Sequence, residues 1–236
     1  MHRVNIVYTA NTQARFDWAH YINNHLALAC GISSRHAPIR FCDVDKPLRL
    51  TPSTNDTVIA ICSVYFDDLD TQHRFRHFFA NEHPDSKLIL ADEPNYTDIT
   101  PTFNAGIFET QLGKREQQPV RLRVLHPWVD GFDTQGWNAQ LPALTEALAL
   151  HNIEVSCVEN DWCRANVAAN SQPHYAAVLS LYSYEEAACA ELSLAQGWEQ
   201  KIKHALGDFS HSAQLSLATI EAFDLQRCQP YLDKMT

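Results

Sequence analysis

Lys87-Leu-Ile-Leu-Ala91, then Phe103-Asn-Ala-Gly-Ile-Phe-Glu-Thr-Gln-Leu-Gly113 running on to Gln117, is the stretch whose reading sets the fold. The compact apolar run reads as a buried strand, and the longer segment 103–117 as a helix. Upstream, Val4–Thr9 reads as a strand. The segment from Gln13 to Cys30 reads as a helix, with Phe16, Trp18, Tyr21, Ile22 and Leu26 at three- and four-residue spacing and Gly31 as its stop. Pro38–Cys42 and Thr57–Cys62 read as strands and Asp67–Ala80 as a helix. Downstream, Val120–Leu125, Ile153–Val158 and Tyr175–Leu181 read as strands, Asn138–His151 and Tyr184–His204 as helices, and Gln214–Ala222 as either. Short apolar runs alternating with amphipathic segments predict an α/β fold of parallel βαβ units.

The spacing repeats. Strand starts at 4, 38, 57 and 87 are followed by starts at 120, 153, 175 and 213. This predicts two tandem halves, 1–116 and 117–236, joined near Lys114–Pro119. One continuous doubly wound sheet is the alternative.

Composition narrows the partners. The chain has 236 residues and a net charge of −10, with its 18 Lys and Arg scattered, which argues against nucleic acid. The densest basic group, Lys114, Arg115, Arg121 and Arg123, reads as a phosphate spot or as solvated charge flanking a strand. Seven Cys residues, an odd number without a CxxC pair, fit reduced thiols and predict a cytoplasmic protein. No apolar run reaches the roughly 18–20 residues a membrane helix needs, and the N-terminus shows no signal-peptide pattern. No membrane partner is therefore expected.

Seven glycines form neither GxGxxG nor a Walker loop, so a backbone phosphate cradle is not expected. Asp43 and Asp45, then Asp67, Asp68 and Asp70, then Asp92 and Glu93 follow strands. They read as Mg²⁺ ligands or as acids complementing helix N-termini. Asp70, His73 and His77 share a helix face with His83 just beyond, so zinc ligation or a solvated face is open. No metal and no resident cofactor is expected.

Ala177-Val-Leu-Ser180-Leu-Tyr182-Ser183-Tyr184-Glu185-Glu186-Ala-Ala-Cys189-Ala-Glu191-Leu192 resembles the central strand and following helix of TIR-like domains. The first half keeps the opening in Ile59-Ala-Ile-Cys-Ser63-Val-Tyr65, with no Glu before Glu82. The resemblance implies a flavodoxin-like parallel sheet in each half. In enzymatic members the helix Glu supports cleavage of the nicotinamide–ribose bond of NAD, which makes Glu191 the candidate catalytic group. Ser180, Tyr182, Ser183, Trp128 and Asp130 are the candidate ligand-binding residues.

Two functions follow. One is a non-catalytic interaction or regulatory signalling protein of two TIR-like lobes, with a protein partner or self-association. The other is an NAD or nucleoside glycosidic-bond hydrolase or transferase using Glu191, with NAD as substrate or ligand.

Overall fold

A computed structural model describes residues 1–11, 13–50, 57–80, 83–163 and 174–232. Eight strands build it: β1 His2–Ala10, β2 Phe41–Pro47, β3 Thr57–Phe66, β4 Thr102–Gly113, β5 Val120–Pro127, β6 Cys157–Cys163, β7 Tyr175–Ser183 and β8 Gln214–Phe223. They close into one barrel in the order β1-β3-β2-β8-β5-β7-β6-β4, and every pairing is antiparallel. The parallel, flavodoxin-like sheet expected from the sequence is therefore corrected. So is the tandem pair of separately sheeted TIR-like lobes. β2 pairs with β8 and β4 with β6, so strands from both ends of the chain share one sheet.

The connections explain the direction. β2 leads to β3 and β6 to β7 with no helix between them among the described residues. Parallel neighbours need a long crossover, usually helical, whereas antiparallel ones do not. Helices fall between β1 and β2, β3 and β4, β5 and β6, and β7 and β8. Each run of four strands thus reads β-α-β-β-α-β, with spatial orders β4-β1-β3-β2 and β8-β5-β7-β6.

The decisive stretch reverses its two readings. Lys87–Ala91 lies inside the helix Pro84–Tyr96, which starts at a His83 cap with Pro at its first turn. Leu88 and Leu90 are exposed and Ile89 is buried, so the segment is not the fully buried strand its apolar run suggested. Phe103–Gly113 falls within β4, between β1 and β6. β4 ends at Gly113, whose φ of +66° turns the chain where a Cβ would lie 1.9 Å from the Ser156 carbonyl oxygen.

Gly31 does not stop the first helix, which runs over residues 18–36. It lies within that helix because the C-terminal turn crosses there. A Cβ on Gly31 would come within 2.7 Å of the Tyr231 Cβ. Two apolar layers pack helices onto the outer face of the barrel. One gathers Val4, Tyr8, Leu26, Cys62 and Phe75, the other Val124, Trp137, Leu144, Leu181 and Trp198.

The barrel interior is charged at one end. Arg3 on β1 donates to Asp161 and Glu159 on β6, which is not its sheet neighbour, so the bonds cross the lumen. Arg121 and Arg123 on β5 reach Asp43 and Asp45 on β2 in the same way. Arg115 closes on Asp43 and lies over the Tyr65 and Tyr182 rings. Ser63 and Ser180 accept from Arg123 at 2.5 and 2.6 Å. Arg3, Arg121, Arg123, Asp45 and Asp161 are fully buried. Four guanidinium groups therefore face four carboxylates, and burial of each charge is matched by an opposite one. At the other end Val7, Val58, Ile61, Leu125, Tyr175 and Val178 fill the lumen. Arg121 and Arg123 are thus neither a phosphate spot nor solvated, and Asp43 and Asp45 are their partners instead of helix caps.

Among the described residues no helix is long and apolar enough to cross a membrane.

Candidate functional site

The helix of residues 18–36 is not regular throughout. Tyr21–His25 form a π turn, and its wider pitch leaves both Tyr21 and His25 buried on the side facing the sheet. Such turns recur at functional sites because they re-aim side chains within a helix. Their rings stack at 5.5 Å. Tyr8 from β1 and Tyr96 from the end of the helix Pro84–Tyr96 complete the group, with the Tyr8 and Tyr96 hydroxyls 3.0 Å apart.

A hydrogen-bonded chain runs through these residues to the surface. Asp92 Oδ2 lies 3.0 Å from His25 Nδ1, and Asp92 Oδ1 lies 3.1 Å from His20 Nε2. Tyr96 Oη is 3.3 Å from His25 Nε2. Burial works to raise the Asp92 pKa, but bonds from Asn95, His25 and His20 outweigh it and hold the carboxyl below its ordinary range. Asp92 is therefore an acceptor. Burial lowers the His25 pKa, so its ring is neutral. These two facts assign the protons: His25 Nδ1–H donates to Asp92, Tyr96 donates to His25 Nε2, and Tyr8 donates to Tyr96. Burial also pushes both phenols well above their usual pKa, which keeps them as neutral donors.

Tyr8 opens onto a cavity between this helix and the sheet. It is about 30 Å³, room for one water. Ile6, Val64, Phe75, Phe79, Ile89 and Phe103 make apolar walls. Two further polar residues line it. Ser33 Oγ, on a residue 1% exposed, has no hydrogen-bond partner. The Glu93 carboxyl lines the cavity, and burial raises its pKa from 4.5 to about 7. A carboxylic acid poised at neutral pH in an apolar cleft can take or give a proton there.

The residues singled out from the sequence are not gathered at this cavity. Ser180 and Tyr182 sit fully buried in the lumen, bonded to Arg123 and to Glu159 and Arg121. Ser183 Oγ accepts from the Glu185 amide at 3.1 Å. Trp128 Nε1 donates to Asp130 on the outer surface at 3.3 Å. Glu191 is exposed on the helix Glu186–Leu194, outside the barrel wall that encloses Ser180. His73 and His77 are exposed on the helix Leu69–Ala80.

The sequence reading missed Tyr8, Tyr21, His25, Glu93 and Tyr96 as a group. A signal was present in the i, i+4 pairs Tyr21/His25 and Asp92/Tyr96, which put polar groups on single helix faces.

No protein-family model matches the chain, and no curated protein is similar to it. Solved structures are similar in fold. An anthrone oxidase-like protein superposes with a TM-score of 0.53 at 10% identity, over 94% of this chain and 92% of that one. A chlorite dismutase from Candidatus Nitrospira defluvii gives a TM-score of 0.44 at 9% identity, over 98% of this chain and 95% of that one. An EthD-like protein from Ralstonia eutropha gives 0.35 at 25% identity, over 44% of this chain and 87% of that one. The fold shared with the anthrone oxidase-like protein is an antiparallel barrel, and every strand pairing of the chain is antiparallel, which overturns the TIR resemblance. The regulatory signalling function of two TIR-like lobes falls with it, as does the Glu191-based cleavage of NAD or nucleosides.

Proposed function

We propose that the chain is a small-molecule oxidase that binds a flat, apolar, ring-bearing substrate between the helix of residues 18–36 and the sheet. Glu93 is the general base. The observation that carries the reading is a carboxyl with its pKa near 7 on an apolar cavity into which the Asp92–His25–Tyr96–Tyr8 chain also opens. The fold shared with an anthrone oxidase-like protein supports the choice of oxidation as the reaction type.

In the reaction, the Glu93 carboxylate takes a proton from a C–H or O–H made acidic by the ring, and the electron pair stays on the substrate. Dioxygen is the oxidant. In net terms the substrate loses two hydrogens and dioxygen becomes hydrogen peroxide. Tyr8, already donating to Tyr96, presents an oxygen lone pair to the cavity and orients a substrate hydroxyl. Ser33 supplies a further hydroxyl partner. Phe79 and Phe103, whose rings lie 5.1 Å apart at the rim, move aside to admit a molecule larger than water.

Seven buried free thiols support a reducing, cytoplasmic setting.

The test is dioxygen uptake and peroxide release with a panel of hydroxylated polycyclic aromatics and enolisable aryl ketones. Glu93→Gln is expected to lower kcat by about 10²–10⁴-fold. No uptake across the panel, or unchanged turnover in Glu93→Gln, overturns the proposal.

A further inference from the structure

The helix that carries the π turn ends at His36, and this end meets the start of the helix Pro84–Tyr96. His36 Nε2 lies 3.0 Å from Asp85 Oδ2. The His36 and His83 rings are 4.4 Å apart, and Phe78 packs on both, at 4.6 and 5.3 Å. One ligand-type atom from each of His36, His83 and Asp85 lies within 4.8 Å of the other two. The His36 and Asp85 side chains are 29% and 15% exposed, so the cluster is open to water on one side.

We propose that His36, His83 and Asp85 form a zinc-class divalent metal site. Two imidazoles and a carboxylate are a donor set suited to zinc, and solvent takes the fourth position. Ligand atoms about 2.0–2.2 Å from a tetrahedral zinc stand roughly 3.3–3.5 Å apart. The His36–Asp85 pair is already within a few tenths of an ångström of that edge, and the third atom needs only to close in. The carbonyl end of the helix of residues 18–36 adds a favourable negative field at His36. On binding, the metal takes the place of the His36–Asp85 hydrogen bond, and the His36 ring carries its one N–H on the nitrogen that does not ligate. The Asp85 amide, which donates to His83 Nδ1 at 3.1 Å, is then free to bond to water or stay on the ring, according to which nitrogen ligates.

The site does not depend on the proposed oxidase reading. It lies one helical turn beyond Ser33, past the apolar cluster of Ile32, Phe78 and Ile89. The metal acts as a staple. It joins the end of the helix bearing Tyr21 and His25 to the start of the helix bearing Asp92 and Tyr96.

The experiment adds Zn²⁺ alone to the full chain and follows stoichiometry by calorimetry and stability by thermal unfolding. The expected result is one ion per chain. Tm should rise by about 5–10 °C when free Zn²⁺ is about a hundredfold above Kd. His83→Asn keeps a capping side chain, and Asp85→Asn keeps the shape. Each should fold, as judged by far-ultraviolet circular dichroism, yet bind at least about tenfold more weakly. The Co²⁺ derivative should show tetrahedral d–d bands with no thiolate charge-transfer band. The proposal is overturned by failure to bind one ion, by an affinity in either variant equal to the parent's, or by a sulfur band, which would place the ion at cysteine.

Discussion

Arg3 and Asp161, 158 residues apart in sequence, lock across the barrel lumen. Two Nε contacts at 3.0 Å and one Nη2 contact at 2.5 Å join them, and both side chains are fully buried. Arg3 also donates to Glu159 and Tyr65, so a single guanidinium ties β1 to β6 and β3.

Removing it leaves two carboxylates without their cation in a site that excludes water. Arg3→Met is expected to cost about 3–5 kcal/mol of stability, read from urea unfolding. The triple replacement of Arg3, Asp161 and Glu159 by apolar residues of similar volume should cost much less, since no buried charge is then left unmatched. A triple variant as unstable as the single one would count against the network.

Glu93 sets a pH dependence. Its pKa is about 7 in the folded protein against 4.5 when unfolded, so the folded state favours the protonated form. That contribution is fully present below pH 4.5 and is lost as pH rises to about 7. Stability of Glu93→Gln should therefore fall less than that of the parent over this window. His25, whose pKa is lowered by burial, acts in the opposite sense, so the comparison isolates Glu93. Parallel stability curves for parent and variant would refute the assignment.

The same group predicts an activity profile. In free enzyme the base form of Glu93 is required, so kcat/KM should climb through about pH 7. A profile level between pH 5 and 9 would remove Glu93 as the base.

Tyr96→Phe interrupts the hydroxyl chain while keeping the ring. Tyr8 loses its acceptor and His25 Nε2 its donor, at an expected cost of about 1–3 kcal/mol. Chemical denaturation measures it, and an unchanged midpoint would mean that water substitutes freely.

Gly31→Val tests the docking of the C-terminal turn. The added Cβ meets Tyr231 Cβ at 2.7 Å and the Cys228 carbonyl oxygen at 3.1 Å. A loss of about 1–3 kcal/mol is expected by the same unfolding assay.

Much of the strand inventory was legible. Val4–Thr9, Thr57–Cys62, Val120–Leu125 and Tyr175–Leu181 all lie within observed strands, because a wholly apolar or alternating run carries its own periodicity. Lys87–Ala91 and Phe103–Gln117 were exchanged, since a four-residue apolar run fits either element. The pairing of β2 with β3 left a trace too. Two successive strands without a helix between them favour antiparallel neighbours, but the reading followed the overall α/β rhythm to a parallel sheet instead.

By itself the sequence determined four of the extended segments, and it placed charges at every second position in Val120-Arg-Leu-Arg-Val124 and Asp43-Val-Asp45. Those patterns are local. Tertiary structure alone decided that the charged faces point into a closed lumen, where Arg121 meets Asp43 and Arg3 meets Asp161. It also decided that Tyr8, His25, Asp92 and Tyr96 form one chain. The reason is physical. Periodicity reports how a residue sits on its own element, whereas a buried ion pair or a proton relay depends on which distant strand or helix closes against it.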